Sequence, residues 1–189
     1  MNRKLVILDR DGVVNEDSDA YIKSVSEWLP IAGSLTAICR LKHAGYQVAV
    51  ATNQSGIARG YFSLSELEAM HKKMSALLAD QGCQLDALAF CPHGPDDGCD
   101  CRKPRPGLLR RIADELQANL AEAVVVGDSR RDLDAAVAVG ARPVLVRTGK
   151  GRHTEAAGGL PPSVMIFDAL TDVVDWLTST GVEPEGPVQ

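Results

Sequence analysis

Short apolar runs alternate along the chain with longer stretches in which apolar residues recur at helical spacing. Six runs predict strands, at Leu5–Leu8, Tyr46–Ala51, Ala87–Phe90, Ala123–Val126, Pro143–Val146 and, more briefly, Val164–Ile166. An unbroken apolar run such as the first is typical of a strand that is buried on both faces, as in a parallel sheet.

Five other segments show the helical pattern. We place them from Gly33 to Gly45, from a capping box of Ser65 and Glu68 to Gly82, from Pro106, around Leu133–Val137 and around Leu170–Leu177. Strands that alternate with helices predict an α/β fold with a doubly wound, Rossmann-like parallel sheet. Ala20–Trp28 has no regular pattern and is either a short flap or a plain surface connection.

The length of 189 residues fits one domain, which we expect over residues 1–180, with a loop inserted at residues 91–103 and without a large cap domain. Because we expect no large cap domain, we also expect the protein to be a monomer. Residues 181–189 are rich in Pro, Gly and Glu and predict a flexible tail.

The charge pattern excludes some classes of partner. A net charge of −5 argues against a nucleic-acid or anionic-membrane surface, so any anionic ligand must be held by local basic groups. The first strand follows Met1 with no room for a signal peptide, and no segment is apolar enough to span a membrane. We therefore expect a cytoplasmic protein whose five cysteines are thiols or metal ligands rather than disulfides.

Polar side chains collect where three of the predicted strands end. Asp9 and Asp11 follow the first strand, Thr52 and Asn53 the second, and Asp128 the fourth. Ligands bind at this edge of a doubly wound sheet. Two carboxylates as close as Asp9 and Asp11 repel each other, so the pair favours a bound cation or the protonation of one member. A solvated acidic turn is the alternative for this pair taken by itself.

The inserted loop has the composition of a zinc site. It carries Cys91, His93, Cys99 and Cys101 among Pro, Gly and Asp. Three thiols and an imidazole suit tetrahedral zinc, and four protein ligands leave no open position, so the ion would be structural. Arg102 and Lys103 follow directly, and a rigid metal loop would aim both cations at the strand ends. Cys39 is expected to be a core residue, and Cys83 has no assigned role.

Taken together, Asp9-Arg10-Asp11-Gly12, Thr52-Asn53, Lys103 and Gly127-Asp128 resemble the four motifs of haloacid-dehalogenase-type phosphohydrolases. The loop followed by Arg102-Lys103-Pro104 is similar to two families within them, the D-glycero-D-manno-heptose 1,7-bisphosphate 7-phosphatases and the histidinol-phosphate phosphatases. Residues 52–60 and 146–150 are nearer to the heptose enzymes, whereas the short zinc spacer is nearer to the histidinol-phosphate type. We favour the heptose family, which acts in the biosynthesis of nucleotide-activated heptose for surface polysaccharide.

The resemblance implies specific roles. Asp9 would be the nucleophile that forms an aspartyl-phosphate, and Asp11 the general acid and base. Asp9, Asp128 and the carbonyl of Asp11 would bind Mg²⁺, and Thr52, Arg102 and Lys103 would hold the phosphoryl oxygens. Substrate contacts are expected from Asp17, Ser18, Asp19, Ala20, Asn53, Gln54, Ser55 and Arg59.

Several assignments stay open at the level of sequence. Arg59 is either a ligand of the second phosphate or a solvated arginine, and Asp132 either joins the site or caps a helix. His43, His71 and His153 are expected to be structural or exposed, and Lys150 and Arg152 to be solvated. A rival from another class is a zinc-containing phosphate-binding module without catalysis.

Overall fold

The computed structural model describes residues 4–179, so the predicted tail at 181–189 lies outside the described residues. Six parallel strands form one sheet in the order β3-β2-β1-β4-β5-β6. They are β1 (Leu5–Leu8), β2 (Gln47–Asn53), β3 (Ala87–Cys91), β4 (Val124–Gly127), β5 (Arg142–Val146) and β6 (Met165–Phe167). The prediction of a doubly wound parallel α/β fold is confirmed, and no cap domain is inserted within residues 4–179.

Helices cover both faces of the sheet. They are α1 (Ser34–His43), α2 (Leu64–Asp80), α3 (Gly107–Leu116), α4 (Arg130–Val137), α5 (Gly151–Ala157) and α6 (Leu170–Ser179), with a 3₁₀ turn at Leu120–Glu122. Alternate residues of β1 enter two cores, since Val6 and Leu8 pack with α1, α2 and α6 whereas Leu5 and Ile7 pack with α3 and α4. This two-sided burial explains the unbroken apolar run of β1.

The strand order reverses at β1, because β2 and β4 lie on its two sides. The ends of β1 and β4 therefore flank the crevice in which doubly wound sheets bind ligands. The chain extends the pairing one residue beyond β1, where the Asp9 amide donates to the Val126 carbonyl at 2.9 Å. This contact holds the first aspartate beside the end of β4.

One local prediction is wrong, and one helix was not predicted. The capping box is formed by Ser63 and Glu66 rather than by Ser65 and Glu68, because Ser63 has the extended backbone of an N-cap and accepts from the Glu66 amide at 3.2 Å. Glu66 in turn accepts from the Ser63 amide at 2.7 Å. Helix α5 had no sequence signal because it has no apolar stripe, and it contains Arg152 and His153.

The expectation that all five cysteines are thiols or metal ligands is also wrong. Cys39 in α1 and Cys83 after α2 form a disulfide, with their Cα atoms 5.4 Å apart. Cys39 is a buried core residue, as expected, but packing of α1 beside the end of α2 gives it a covalent partner that no spacing rule predicts. No helix among residues 4–179 combines the length and the apolar character needed to cross a membrane.

Candidate active site

Three carboxylates meet at the ends of β1 and β4. Asp9, Asp128 and Asp132 each place one carboxylate oxygen within 4.8 Å of the others. Asp128 directly follows β4, and Asp132 lies in the first turn of α4. Carboxylate oxygens gathered at this spacing suit a hard divalent cation such as Mg²⁺. The carboxylate of Asp11 lies outside this group.

Glycine is required where other chain segments pass the Asp128 carboxylate. A Cβ atom on Gly12, whose φ is +83°, or on Gly149, whose φ is +55°, would collide with Asp128 Oδ2. The close approach lets the Lys150 amide donate to the same oxygen at 2.8 Å. The Thr148 hydroxyl donates to the Gly12 carbonyl at 2.7 Å and ties the two segments together.

Lys103 is the cation that reaches these carboxylates. Its ammonium lies 2.9 Å from Asp9 Oδ1 and 2.7 Å from Asp132 Oδ1, and it donates to the Ala51 carbonyl at 2.7 Å. Lys103 is 2% exposed. Its backbone is held by Asn53, whose amide group makes two reciprocal hydrogen bonds of 3.0 Å with the Lys103 N–H and C=O.

The two cations predicted to act together are placed differently. Arg102 is partly exposed, lines the adjoining cavity and donates to the His93 carbonyl at 3.3 Å.

Asp132, for which two roles stayed open, has both. It pairs with Lys103, and its carboxylate accepts from the backbone and the hydroxyl of Ser129 at 3.0 and 2.6 Å as the helix cap.

Asp11 is held by four donors. Its Oδ1 accepts from Arg10 Nε at 3.0 Å and Asn15 Nδ2 at 2.8 Å, and its Oδ2 accepts from Arg10 Nη2 at 3.1 Å and Gln54 Nε2 at 2.9 Å. Gln54 Nε2 also donates to the hydroxyl of Thr52 at 2.8 Å. Gln54 therefore connects two residues of separate motifs.

The formal charges of the ionisable groups around Asp9 do not balance. Arg10 pairs with Asp11, and Lys103 pairs with both Asp132 and Asp9. Together with Asp128 these groups carry four negative and two positive formal charges, which leaves an excess of two negative charges. One divalent cation would neutralise that excess.

The pKa values show where the excess lies. Burial raises the pKa of Asp9 to about 7 against the opposing effect of Lys103, and burial together with Asp9 and Asp132 raises that of Asp128 to about 8. Burial would also raise the pKa of Asp132, but Lys103 brings it below its usual value. Asp9 and Asp128 are thus the two carboxylates that lack a full counter-charge.

A cavity of about 310 Å³ opens beside the carboxylates. Seven of the eight predicted substrate residues line it: Asp17, Ser18, Asp19, Asn53, Gln54, Ser55 and Arg59. Ala20 is exposed and is not among the lining residues. Lys150, expected to be solvated, lies at the rim with its ammonium 3.4 Å from Asp17 and 3.2 Å from Asp19.

Four residues of the site went unassigned in the sequence. Arg10 is fully buried although no apolar spacing marks it, Asn15 is buried behind Asp11, and Arg131 lines the cavity from α4. His71, expected to be structural or exposed, lies with Nε2 3.3 Å from Nη1 of Arg10. The only available signal was the position of Arg10 between two aspartates.

The predicted zinc ligands form a second cluster. Cys91, His93, Cys99 and Cys101 place their ligand atoms within 4.8 Å of one another. The Sγ atoms of Cys91 and Cys99 are 3.7 Å apart, and Nδ1 of His93 lies 3.6 Å from the first thiol and 3.3 Å from Cys101. Tetrahedral zinc, with bonds of about 2.3 Å to sulfur and 2.0 Å to nitrogen, separates its ligands by about 3.5 to 3.8 Å.

The thiols also need a cation in order to ionise together. Burial and the neighbouring thiols raise the pKa of Cys101 to about 12. Three sulfur atoms this close cannot all be thiolates without a positive charge between them. The cluster is therefore compatible with structural zinc in both spacing and electrostatics.

Comparison with known proteins agrees with this geometry. A family model described as HAD-hydrolase-like matches residues 100–173. Two curated relatives, from Pseudomonas putida and Pseudomonas aeruginosa, are both named D-glycero-beta-D-manno-heptose-1,7-bisphosphate 7-phosphatase. The first is 59% identical over 90% of this chain and 97% of the relative, and the second 56% identical over 94% and 99%.

A solved structure gives the same result. The D,D-heptose 1,7-bisphosphate phosphatase of Bordetella bronchiseptica, complexed with magnesium and phosphate, is 53% identical, with a TM-score of 0.91 over 93% of this chain and 98% of that chain. The expected resemblance is confirmed. The chain belongs to the D-glycero-beta-D-manno-heptose-1,7-bisphosphate 7-phosphatase family of haloacid-dehalogenase-type hydrolases.

Proposed function

We propose that the protein removes the C7 phosphate from D-glycero-D-manno-heptose 1,7-bisphosphate in a Mg²⁺-dependent reaction. The observation that carries this proposal is the pair of undercompensated carboxylates, Asp9 and Asp128, beside the Lys103 ammonium at one end of a polar cavity. A binding module would gain nothing from an uncompensated carboxylate in its anion site. A phosphatase needs one there as its nucleophile.

The residues support a two-step reaction. Asp9 attacks phosphorus in line and the bond from phosphorus to the C7 oxygen breaks, while Asp11 gives its proton to that oxygen. Water then attacks the aspartyl-phosphate, Asp11 takes a proton from the water, and inorganic phosphate leaves Asp9 free. Lys103 and the Thr52 hydroxyl would stabilise the charge on the nonreacting oxygens.

Mg²⁺ would be held by Asp9, Asp128 and the Asp11 carbonyl, and it supplies Lewis-acid charge neutralisation that lets an anionic nucleophile meet an anionic phosphate. The chemistry of the donor set fits, because the carboxylates with raised pKa values are the proposed ligands. Zn²⁺ would be held by Cys91, His93, Cys99 and Cys101 and would keep the loop that carries Lys103 rigid.

The cavity suits a second phosphate. Arg59, Arg102 and Arg131 line it, and no carboxylate ion pair involves any of them among residues 4–179. Lys150, in contrast, is already paired with Asp17 and Asp19. We therefore propose that these arginines recognise the C1 phosphate, while Asp17, Ser18, Asp19, Gln54 and Ser55 contact the sugar. The enzyme would act as a cytoplasmic monomer in the biosynthesis of nucleotide-activated heptose.

The test is phosphate release from the two anomers of the heptose bisphosphate and from histidinol phosphate, each with Mg²⁺ and with EDTA. We expect Mg²⁺-dependent turnover of the bisphosphate, with a preference for the beta anomer named in the relatives. Asp9→Asn should abolish turnover of every substrate. Preference for histidinol phosphate would overturn the proposed substrate. If the wild-type protein releases no phosphate from any substrate beyond what Asp9→Asn releases, the noncatalytic module would be favoured.

A further inference from the structure

Arg10 is a buried bridge between Asp11 and a histidine from a different element. The side chain is 0% exposed. One edge of the guanidinium, Nε and Nη2, donates to the Asp11 carboxylate at 3.0 and 3.1 Å. The remaining nitrogen, Nη1, lies 3.3 Å from Nε2 of His71 in α2. The plane of the Asp11 carboxylate is therefore coupled to the position of the His71 ring.

The direction of this contact is fixed by chemistry. An arginine side chain has no acceptor, so Nη1 donates and Nε2 of His71 must be the unprotonated ring nitrogen. A second proton on His71 would turn the contact into a repulsion between two cations. Burial, together with Arg10, lowers the pKa of His71 to about 4, which keeps the ring neutral near pH 7.

His71 also packs against an aromatic ring of the sheet. It lies on a helix of 17 residues, and its ring faces Phe90 of β3 at a centroid distance of 6.0 Å. An acceptor on a packed helix holds a buried guanidinium better than water would, because it cannot move away. Without it, Arg10 could shift together with its bidentate pair, and only the single contacts from Asn15 and Gln54 would still fix the Asp11 carboxylate.

We propose that His71 is a positioning residue for the leaving-group step, acting through Arg10 to orient the Asp11 carboxylate toward the ester oxygen. This inference rests on the proposed role of Asp11 as general acid. Residues that orient catalytic groups in this indirect way are commonly worth about 10- to 100-fold in activity.

The substrate distinguishes this role from a structural one. A sugar alkoxide leaves poorly and needs the proton from Asp11, whereas p-nitrophenolate leaves readily without one. The ratio kcat/KM reports steps up to and including transfer of the phosphoryl group. A misaligned Asp11 should therefore lower kcat/KM for the heptose bisphosphate much more than for p-nitrophenyl phosphate.

The experiment compares His71→Leu, His71→Gln and Phe90→Leu with the wild-type enzyme on both substrates. We expect His71→Leu to lower kcat/KM for the bisphosphate by about 10-fold or more and for p-nitrophenyl phosphate by less than about threefold. His71→Gln should restore most of the loss because its amide oxygen can accept from Arg10. Phe90→Leu alters the same packing but keeps the acceptor, so it should lower kcat/KM for the bisphosphate much less than His71→Leu does.

The proposal would be overturned if His71→Leu lowered kcat/KM equally for the two substrates, or for neither. It would also be overturned if His71→Gln failed to restore activity while its melting temperature stayed unchanged. If the wild-type enzyme does not hydrolyse the heptose bisphosphate, the proposed function fails instead. The same comparison of variants is then made with histidinol phosphate, which also has an alkoxide leaving group.

Discussion

Replacing Lys103 with Met removes the ammonium that joins the cysteine loop, residues 91–103, to the carboxylates of Asp9 and Asp132. Methionine keeps the length and apolar stem of the side chain but deletes the contacts of 2.9 Å to Asp9 and 2.7 Å to Asp132. The carbonyl of Ala51 also loses its donor. The variant thus leaves the buried carboxylate of Asp132 and the partly buried carboxylate of Asp9 without their shared cation.

The expected loss of stability is large. Removal of one partner from a buried ion pair typically costs about 3 to 5 kcal/mol, because the other charge stays buried without compensation. Asp132 is 1% exposed and cannot regain water without opening the start of α4. At about 2 to 4 °C per kcal/mol for a chain of this size, the melting temperature should fall by roughly 10 °C. Saturating Mg²⁺ should reduce that fall, because the divalent ion supplies part of the missing charge.

Activity should fall further than stability alone explains. An ammonium aimed at the developing charge of a transition state is worth about 10²- to 10³-fold in kcat. The assay is Mg²⁺-dependent phosphate release at a temperature at which the variant remains folded by circular dichroism. Lys150→Met is the matched control, because the Lys150 side chain is 46% exposed and its ion pairs at the rim should contribute about 1 kcal/mol or less. A Lys103→Met enzyme with the stability and kcat of Lys150→Met would refute the reasoning.

Three further predictions follow from the metal sites and the disulfide. Cys99→Ser should lose zinc, measured by elemental analysis, and lose phosphatase activity while its Mg²⁺ affinity changes little; full activity without zinc would contradict the structural role of the loop. The pKa values of Asp9 and Asp128 are higher in the folded than in the unfolded chain, so metal-free stability should fall as pH rises from about 5 to 8.5. Measured by calorimetry, the rise in melting temperature caused by Mg²⁺ should therefore be larger at pH 8.5 than at about pH 5. An equal rise at the two pH values would disprove this. Cys83→Ser removes the disulfide to Cys39, which joins residues 44 positions apart. Its loss should lower the unfolding free energy by up to about 4 kcal/mol under oxidising conditions without changing kcat. In dithiothreitol the variant and the wild type should unfold alike.

The architecture was predictable because its signals are local and repeated. Each run of β1 to β5 is apolar on both faces, and the helices between them show one apolar stripe each. Helix α5 was missed because it buries only Gly151 and Thr154, so its sequence has no stripe to detect. The capping box was displaced by two residues because Ser63 and Ser65 are both competent caps and only the backbone at Ser63 decides between them.

The site was predictable where its residues lie at strand ends or carry a diagnostic spacing. Asp9 and Asp128 directly follow strands, Thr52 lies near the end of β2, and the zinc ligands follow from their spacing. Arg10 and His71 are 61 residues apart, and their contact depends on how α2 packs against the loop after β1. A buried arginine cannot be inferred from periodicity, because charged residues are almost always exposed unless they are paired. The Cys39–Cys83 disulfide was missed because, like Arg10 and His71, the two cysteines meet only in the folded chain.

The cysteine loop has a clear physical purpose in this arrangement. Lys103 lies in a segment without helix or strand, between β3 and α3, and such a segment would lose its ammonium to solvent if it were free to move. Three anchors prevent this: the cluster that ends at Cys101, the reciprocal bonds to Asn53, and the bond of 3.0 Å from the Gly107 amide to the Asp100 carbonyl. The last contact is so close that a Cβ atom on Gly107 would collide with the Asp100 carbonyl. With zinc bound, the ordering cost of a buried cation on a loop would thus be met by metal ligands and backbone contacts rather than by an apolar core.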